Sequence, residues 1–249
     1  MKKVFAVFAV FFCLAANVYG GISVIPARSE ILIEKGGTAA FKYTIVNTGD
    51  LPIEVAITYK NWNNSPENKN VQVNEWLFLA KNPATLAPGE SKDIEYTVKA
   101  GDLSGSVSAM ISFTHKSPGH QGISLMTSVP VYMVIDGTQN VDYKIDTIVA
   151  FASGKDPKNI GFTYRIKNDG NVIVKVKGVL KVLNGKKVIV ERKISEQSPT
   201  YAGSIRDFSE TISSLPKGKY VLNISLSALG KTVERSIQFR VNKYGDVSY

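Results

Sequence analysis

The chain of 249 residues has one cysteine, Cys13, and it falls inside an apolar N-terminal run. Beyond that run no thiol exists, so disulfides, thiolate metal sites and cysteine nucleophiles are all excluded there. Histidine is nearly as scarce, with only His115 and His120. No carboxylate lies between or beside them to complete a ligand set, so both read as exposed loop histidines and no metal is assigned. There is no Gly-x-Ser-x-Gly elbow, and Gly101 to Gly105 lacks the strand-to-helix context and the lysine of a phosphate loop. The expectation is a non-enzymatic protein with no catalytic residue and no cofactor.

Long apolar runs are also missing. Lys2 and Lys3 precede an apolar stretch from Val4 to Ala16, and Val18 and Gly20 occupy the −3 and −1 positions of a cleavage site. Residues 1–20 therefore read as a secretory signal peptide. No later stretch reaches the roughly 20 apolar residues of a membrane span, so an integral membrane protein is not expected. Charge is unevenly spread. Residues 21–138 carry 9 basic and 11 acidic side chains, whereas residues 139–249 carry 19 basic and 10 acidic. A basic half can meet anionic partners, but Lys175, Lys177, Lys181, Lys186 and Lys187 read first as solvent-face strand residues that protect sheet edges. No nucleic-acid motif accompanies them.

What the sequence does contain is period-two alternation. Phe41, Tyr43 and Ile45 alternate on one face, as do Ile53, Val55, Ile57 and Tyr59, and later Val107, Ala109, Ile111 and Phe113. The pattern predicts strands near residues 30–34, 39–47, 53–61, 76–80, 92–99, 106–114 and 123–135. In the second half it predicts strands near 143–151, 160–167, 172–183, 187–194, 206–212, 218–228 and 232–241. No helix-period segment appears. Short strands broken by Gly, Pro, Asn and Asp indicate an all-β protein. The fold expected is two tandem immunoglobulin-like β-sandwich domains, residues 21–136 and 141–249, with Asp136 to Asn140 as a short linker that sets a preferred angle.

The halves echo each other. Asn47-Thr48-Gly49-Asp50 is answered by Asn168-Asp169-Gly170-Asn171. Gly89-x-x-Lys92-Asp93-Ile94-x-x-Thr97-Val98 is answered by Gly203-x-x-Arg206-Asp207-Phe208-x-x-Thr211-Ile212. Asn and Gly at these points are expected to supply positive φ for hairpin turns. The repetition points to two related sandwiches.

One strand stands apart. Ile123, Leu125, Thr127, Val129, Val131, Met133 and Ile135 form the longest alternating run, and Met126, Pro130, Tyr132 and Val134 make its other face largely apolar too. Pro130 has no N–H for a ladder and favours an edge position. An apolar edge strand either fills its own core or serves as a template for a partner's strand.

The order of motifs resembles a family. Ile22-Ser23-Val24-Ile25-Pro26-Ala27-Arg28 is followed by Val46-Asn47-Thr48-Gly49 and by Ile57-Thr58-Tyr59-Lys60-Asn61-Trp62. Next comes Phe78-Leu79-Ala80-Lys81-Asn82-Pro83, leading to Leu86-Ala87-Pro88-Gly89. Over residues 22–135 the chain resembles the periplasmic PapD-like chaperones of chaperone–usher pilus assembly. The resemblance implies a periplasmic chaperone whose partner is a β-rich, pilin-like subunit. It also implies donation of an edge strand in which Leu125, Thr127, Val129, Val131 and Met133 face that subunit. The family anchors the subunit's terminal carboxylate with two cations in the interdomain cleft. Here Glu30 stands where the first belongs, Arg28 two residues earlier is the candidate substitute, and Tyr132 to Asp136 holds no second cation. The alternative is a structural or adhesive envelope protein that uses its basic second domain to bind polymer or protein.

Overall fold

The computed structural model describes residues 21–79, 84–116, 123–152, 159–213 and 215–249. The predicted signal peptide, the Ala80–Pro83 corner and His120 lie outside these residues. Within them the chain forms two β-sandwiches.

The first contains β1 (Ile22–Ile25), β2 (Ser29–Glu34), β3 (Thr38–Asn47), β4 (Ile53–Asn61), β5 (Leu77–Leu79), β6 (Ala84–Leu86), β7 (Ser91–Lys99), β8 (Ser106–Lys116) and β9 (Ser124–Asp136). One sheet runs β1-β3-β7-β5 and the other β2-β9-β8-β4-β6. Their inner faces bury Tyr43, Ile45, Val55, Trp76, Leu86, Val98, Ile111 and Phe113 in one core. The Tyr43 and Tyr96 rings stack at 5.2 Å, and both hydroxyls meet Ser29 Oγ, at 2.8 and 2.7 Å. That Ser29 contact fixes where β2 begins.

The second contains β10 (Tyr143–Ala152), β11 (Asn159–Asn168), β12 (Lys177–Asn184), β13 (Lys187–Ile194), β14 (Ile205–Ser213), β15 (Gly218–Ala228), β16 (Lys231–Val241) and β17 (Val247–Ser248). Its sheets run β10-β11-β14 and β13-β12-β15-β16-β17. Phe162, Tyr164, Ile166, Leu180, Leu222 and Leu226 are among the side chains of a separate core. Alternation is again the cause: in β15 the buried residues are Tyr220, Leu222, Ile224, Leu226 and Ala228.

Some short elements differ from expectation. A single helical turn, α1 (Val73–Trp76), precedes β5, capped where Glu75 accepts the Gln72 N–H at 2.7 Å. Four residues are too few to show helical period. The strand predicted at 172–183 begins only at Lys177. Before it Val172, Ile173, Val174 and Val176 are all buried, and Val174 makes one isolated bridge to Thr200.

The internal echo is structural. Asn47 is fully buried, donates to the carbonyls of Leu51, Leu86 and Ala87, and accepts the Gly49 N–H at 2.9 Å. Asn168, equally buried, donates to Val172 and Thr200 and accepts the Gly170 N–H at 3.1 Å. These side chains, acting as Asx turns, hold the corners. Gly170 does not take the positive φ expected of it; a Cβ there would lie 2.3 Å from the Asn140 carbonyl, so close approach is what requires glycine. Gly89 and Gly203 do share a left-handed turn, at φ 71° and 68°. Four residues later come Asp93 and Asp207, each held below the usual carboxylate range by a cross-strand cation, Lys42 and Arg165 respectively.

The linker is hydrogen-bonded rather than loose. Asn171 Oδ1 accepts the Asn140 N–H at 2.6 Å, and its Nδ2 donates to the Thr138 carbonyl. Thr138 Oγ1 in turn accepts the Gly105 N–H at 2.8 Å.

Candidate functional site

β9 is the longest strand of the first sandwich, and its two edges are used unequally. On one side it pairs with β8 along its length, from Lys116↔Ser124 to Ser106↔Val134. On the other it pairs in parallel with β2, but only from Ser29↔Val131 to Glu34↔Asp136. The reason lies in the N-terminal strand. β1 belongs to the opposite sheet, where it pairs with β3, and the chain crosses between sheets at Pro26 to Arg28. Proline removes one donor at the crossing. Among the described residues nothing pairs with the outer edge of Ser124 to Pro130. That half of β9 is an open backbone edge.

The alternating side chains follow the same division. Ile123 is 51% exposed and Leu125 39%, Thr127 is half-buried, Val129 is 3% exposed, and Val131 and Met133 are fully enclosed. The expectation that all five predicted positions face a partner is corrected here. Val129, Val131 and Met133 belong to the sandwich's own core, because β2 and the opposing sheet close over that half of the strand. Leu125 and Thr127 lie where β1 has left for the other sheet. On the opposite face Met126 is 65% exposed, and Ser128 bonds Ser112 across the ladder at 2.8 Å. The accessible apolar side chains are thus Ile123 and Leu125 on one face and Met126 on the other.

Arg28 sits at the rim of a cleft between the sandwiches, of about 660 Å³, lined by Ile31, Leu32, Val134, Val172, Lys175 and Leu229 among others. Its guanidinium is already engaged: Nε lies 2.6 Å from Glu30 and Nη2 3.5 Å from Glu196 of the second sandwich. Lys175 also pairs with Glu30, and its ammonium stands 5.2 Å from the Tyr132 ring centroid. Lys175 was expected on a solvent face. Its side chain is only 13% exposed, because the segment before β12 is irregular and turns it into the cleft. The signal for this was the unbroken apolar run Val172-Ile173-Val174, which does not alternate as an exposed strand would. Tyr132 lines the same cleft; burial pushes its hydroxyl well above the ordinary tyrosine range, reinforced by the Tyr201 hydroxyl 3.5 Å away.

His115 is not the exposed loop residue expected. It ends the inward row of β8, is nearly fully buried, and lies 3.2 Å through Nδ1 from the Lys116 carbonyl. Among the described residues no three His, Cys, Asp or Glu side chains come together as a metal set would require. Among the described residues the arrangement offers an open strand edge and a charged cleft.

No protein-family model matches the chain, and no curated protein sequence matches it. Solved structures do. The class 5 fimbriae chaperone CfaA aligns at 12% identity over 87% of this chain and 98% of its own, with a TM-score of 0.47. A chain of the CsuC–CsuE chaperone–tip adhesion subunit pre-assembly complex of Acinetobacter baumannii aligns at 13% identity over 88% and 97%, also with a TM-score of 0.47. The E. coli chaperone DraB aligns at 12% identity over 88% and 98%, with a TM-score of 0.44.

Proposed function

We propose that this protein is an exported, periplasmic chaperone for a β-rich subunit of a pilus or other surface fibre, and that it binds by adding a strand to that subunit. The open edge of Ser124 to Pro130 carries the reading. It presents unpaired main-chain donors and acceptors beside the exposed side chains of Ile123, Leu125 and Met126, which is what strand addition requires. The motif order of residues 22–135 supports the same reading, as does the pairing of two sandwiches, taken as domains 21–136 and 141–249. Residues 1–20 act as the export signal.

In this reading the strand divides its labour. Val129, Val131 and Met133 fix β9 in its own core and so hold the register of the free half. Ile123, Leu125 and Thr127 make the side-chain contacts. Arg28 acts as a carboxylate anchor only after Glu30 or Glu196 is displaced from it, since both carboxylates occupy its guanidinium.

Co-expression with a neighbouring fibre subunit tests this. Ile123→Lys with Leu125→Lys leaves the chaperone folded and lowers recovery of soluble subunit by roughly tenfold, as expected when two apolar contacts are replaced by charge. Unchanged recovery with the folded double variant sinks the strand-addition reading. Val131→Lys is the wrong probe, because a charge at that enclosed site costs several kcal/mol and unfolds the first sandwich.

A further inference from the structure

Positive charge in the second sandwich is paired over much of both sheets, as in Lys181–Glu191 and Lys231–Asp142, but not at one end of the five-stranded sheet. On the three-stranded sheet Lys144 and Lys167 share Asp169, and Arg165 pairs with Asp207. The five-stranded sheet differs at the end far from the cleft. There the β12–β13 hairpin, the start of β15 and the end of β16 meet, because Leu183 stands opposite both Val188 and Val221, and Lys219 opposite Arg240. This register gathers Lys186, Lys187, Lys217, Lys219, Arg240 and Lys243 at one pole. All six are exposed, and none forms an ion pair among the described residues. Asp246, in the turn after β16, accepts from Asn242 Nδ2 at 2.8 Å. The pole lies roughly 30 Å from the cleft, the length of an eleven-residue strand.

Apolar groups stand among these cations. Val188 and Ile189 are exposed on β13, which pairs only with β12 and so forms the sheet's edge. Tyr244 is exposed too, with the Lys243 ammonium 4.7 Å from its ring centroid. Clustered lysines beside exposed aliphatic side chains and a tyrosine match one environment well. The cations meet anionic headgroups while the apolar side chains enter the headgroup–acyl boundary. A dissolved polyanion offers the second set nothing.

We propose that this pole docks the protein peripherally on an anionic lipid surface. The site is distinct from the open edge of β9 and does not depend on what that edge binds. Docking by the distal end of the second sandwich leaves the β9 edge and the cleft facing away from the lipid.

Vesicle flotation tests the assignment with the full chain lacking residues 1–20. The wild type floats with vesicles of phosphatidylcholine mixed with phosphatidylglycerol, floats poorly with phosphatidylcholine alone, and is released as salt shortens the screening length. Lys186→Glu, Lys187→Glu and Lys219→Glu together lower partitioning by roughly tenfold or more, and the corresponding Gln changes lower it less. Val188→Ser with Tyr244→Ser lowers it several-fold without altering charge. Circular dichroism of each variant reports folding, and the serine pair keeps the test open if the charge reversals unfold the domain. Lys35→Glu, Lys60→Glu and Lys69→Glu, an equal charge change on the first sandwich, leaves flotation near the wild-type value. Equal loss in that control, or equal flotation with both vesicle types, overturns the proposal. So does retention on heparin without flotation, which assigns the pole to a soluble polyanion instead.

Discussion

The indole Nε1 of Trp62 donates a 2.6 Å hydrogen bond to the hydroxyl of Tyr201, joining the first sandwich to the second. Trp62 directly follows β4, where its own N–H is held by the Ser108 carbonyl, and Tyr201 lies in the segment leading to β14. The Tyr201 ring also packs at 6.3 Å from that of Tyr132. Together with the Glu30–Lys175 pair these contacts brace one side of the interdomain angle, while Thr138 and Asn171 brace the linker side.

A double-mutant cycle measures the brace. Trp62→Phe and Tyr201→Phe each remove the same hydrogen bond, so the double variant loses little more than either single one. The coupling expected is about 1 kcal/mol, typical of a neutral bond between partly exposed groups. Denaturant unfolding gives the energies, and small-angle scattering of the double variant detects any opening of the angle. Strictly additive losses in unfolding energy overturn this account of the pair.

The two buried asparagines make a sharper prediction. Asn47→Ala removes the amide donor to the Leu51, Leu86 and Ala87 carbonyls and the acceptor of the Gly49 N–H. Asn168→Ala removes the donor to the Val172 and Thr200 carbonyls, although Ala87, Thr200 and Gly170 keep backbone bonds to Glu90, Val174 and Asp142. Each change costs about 2 kcal/mol, because several buried hydrogen bonds are lost at once while part of the backbone pairing remains. Asn→Asp costs at least as much, since a carboxylate cannot donate to the carbonyls. Thermal unfolding of a protein with two separate cores assigns the loss: Asn47→Ala lowers the transition of the first sandwich and Asn168→Ala that of the second. A small loss in either variant means the corner is held by other contacts.

These corners also mark what the sequence makes legible. Strands with one buried and one wet face declare themselves by alternation, so β4 and β15 match their predicted limits residue for residue. The repeat of Asn47 and Asn168 was visible because a buried corner admits few side chains. The mechanism was not, since positive φ and an Asx turn favour the same residue types. Which half of β9 stays open was hidden for a different reason. It depends on where β1 leaves for the other sheet, a tertiary fact that leaves no trace in the alternation of β9 itself. Lys175 was missed because a cleft between two sandwiches is not a property of either strand pattern.

Alkaline pH offers a test of the core tyrosines. Burial pushes the hydroxyls of Tyr43 and Tyr164 well above the ordinary value near 10, and Tyr96 and Tyr143 move the same way. Below pH 10 these groups are protonated whether the chain is folded or unfolded, so they add no pH dependence. Above it the unfolded chain releases protons that the folded chain retains, and stability falls as pH rises. Each enclosed tyrosine contributes a slope approaching 1.4 kcal/mol per pH unit. Tyr164 is the clean probe, because its buried hydroxyl has no hydrogen-bond partner among the described residues. Tyr164→Phe removes an unsatisfied polar group, so stability at neutral pH stays equal or rises, and the fall above pH 10 becomes shallower by one tyrosine's share. Urea unfolding at neutral pH and at several values above pH 10 reads both effects; an unchanged alkaline slope means that the Tyr164 hydroxyl ionises in the folded protein.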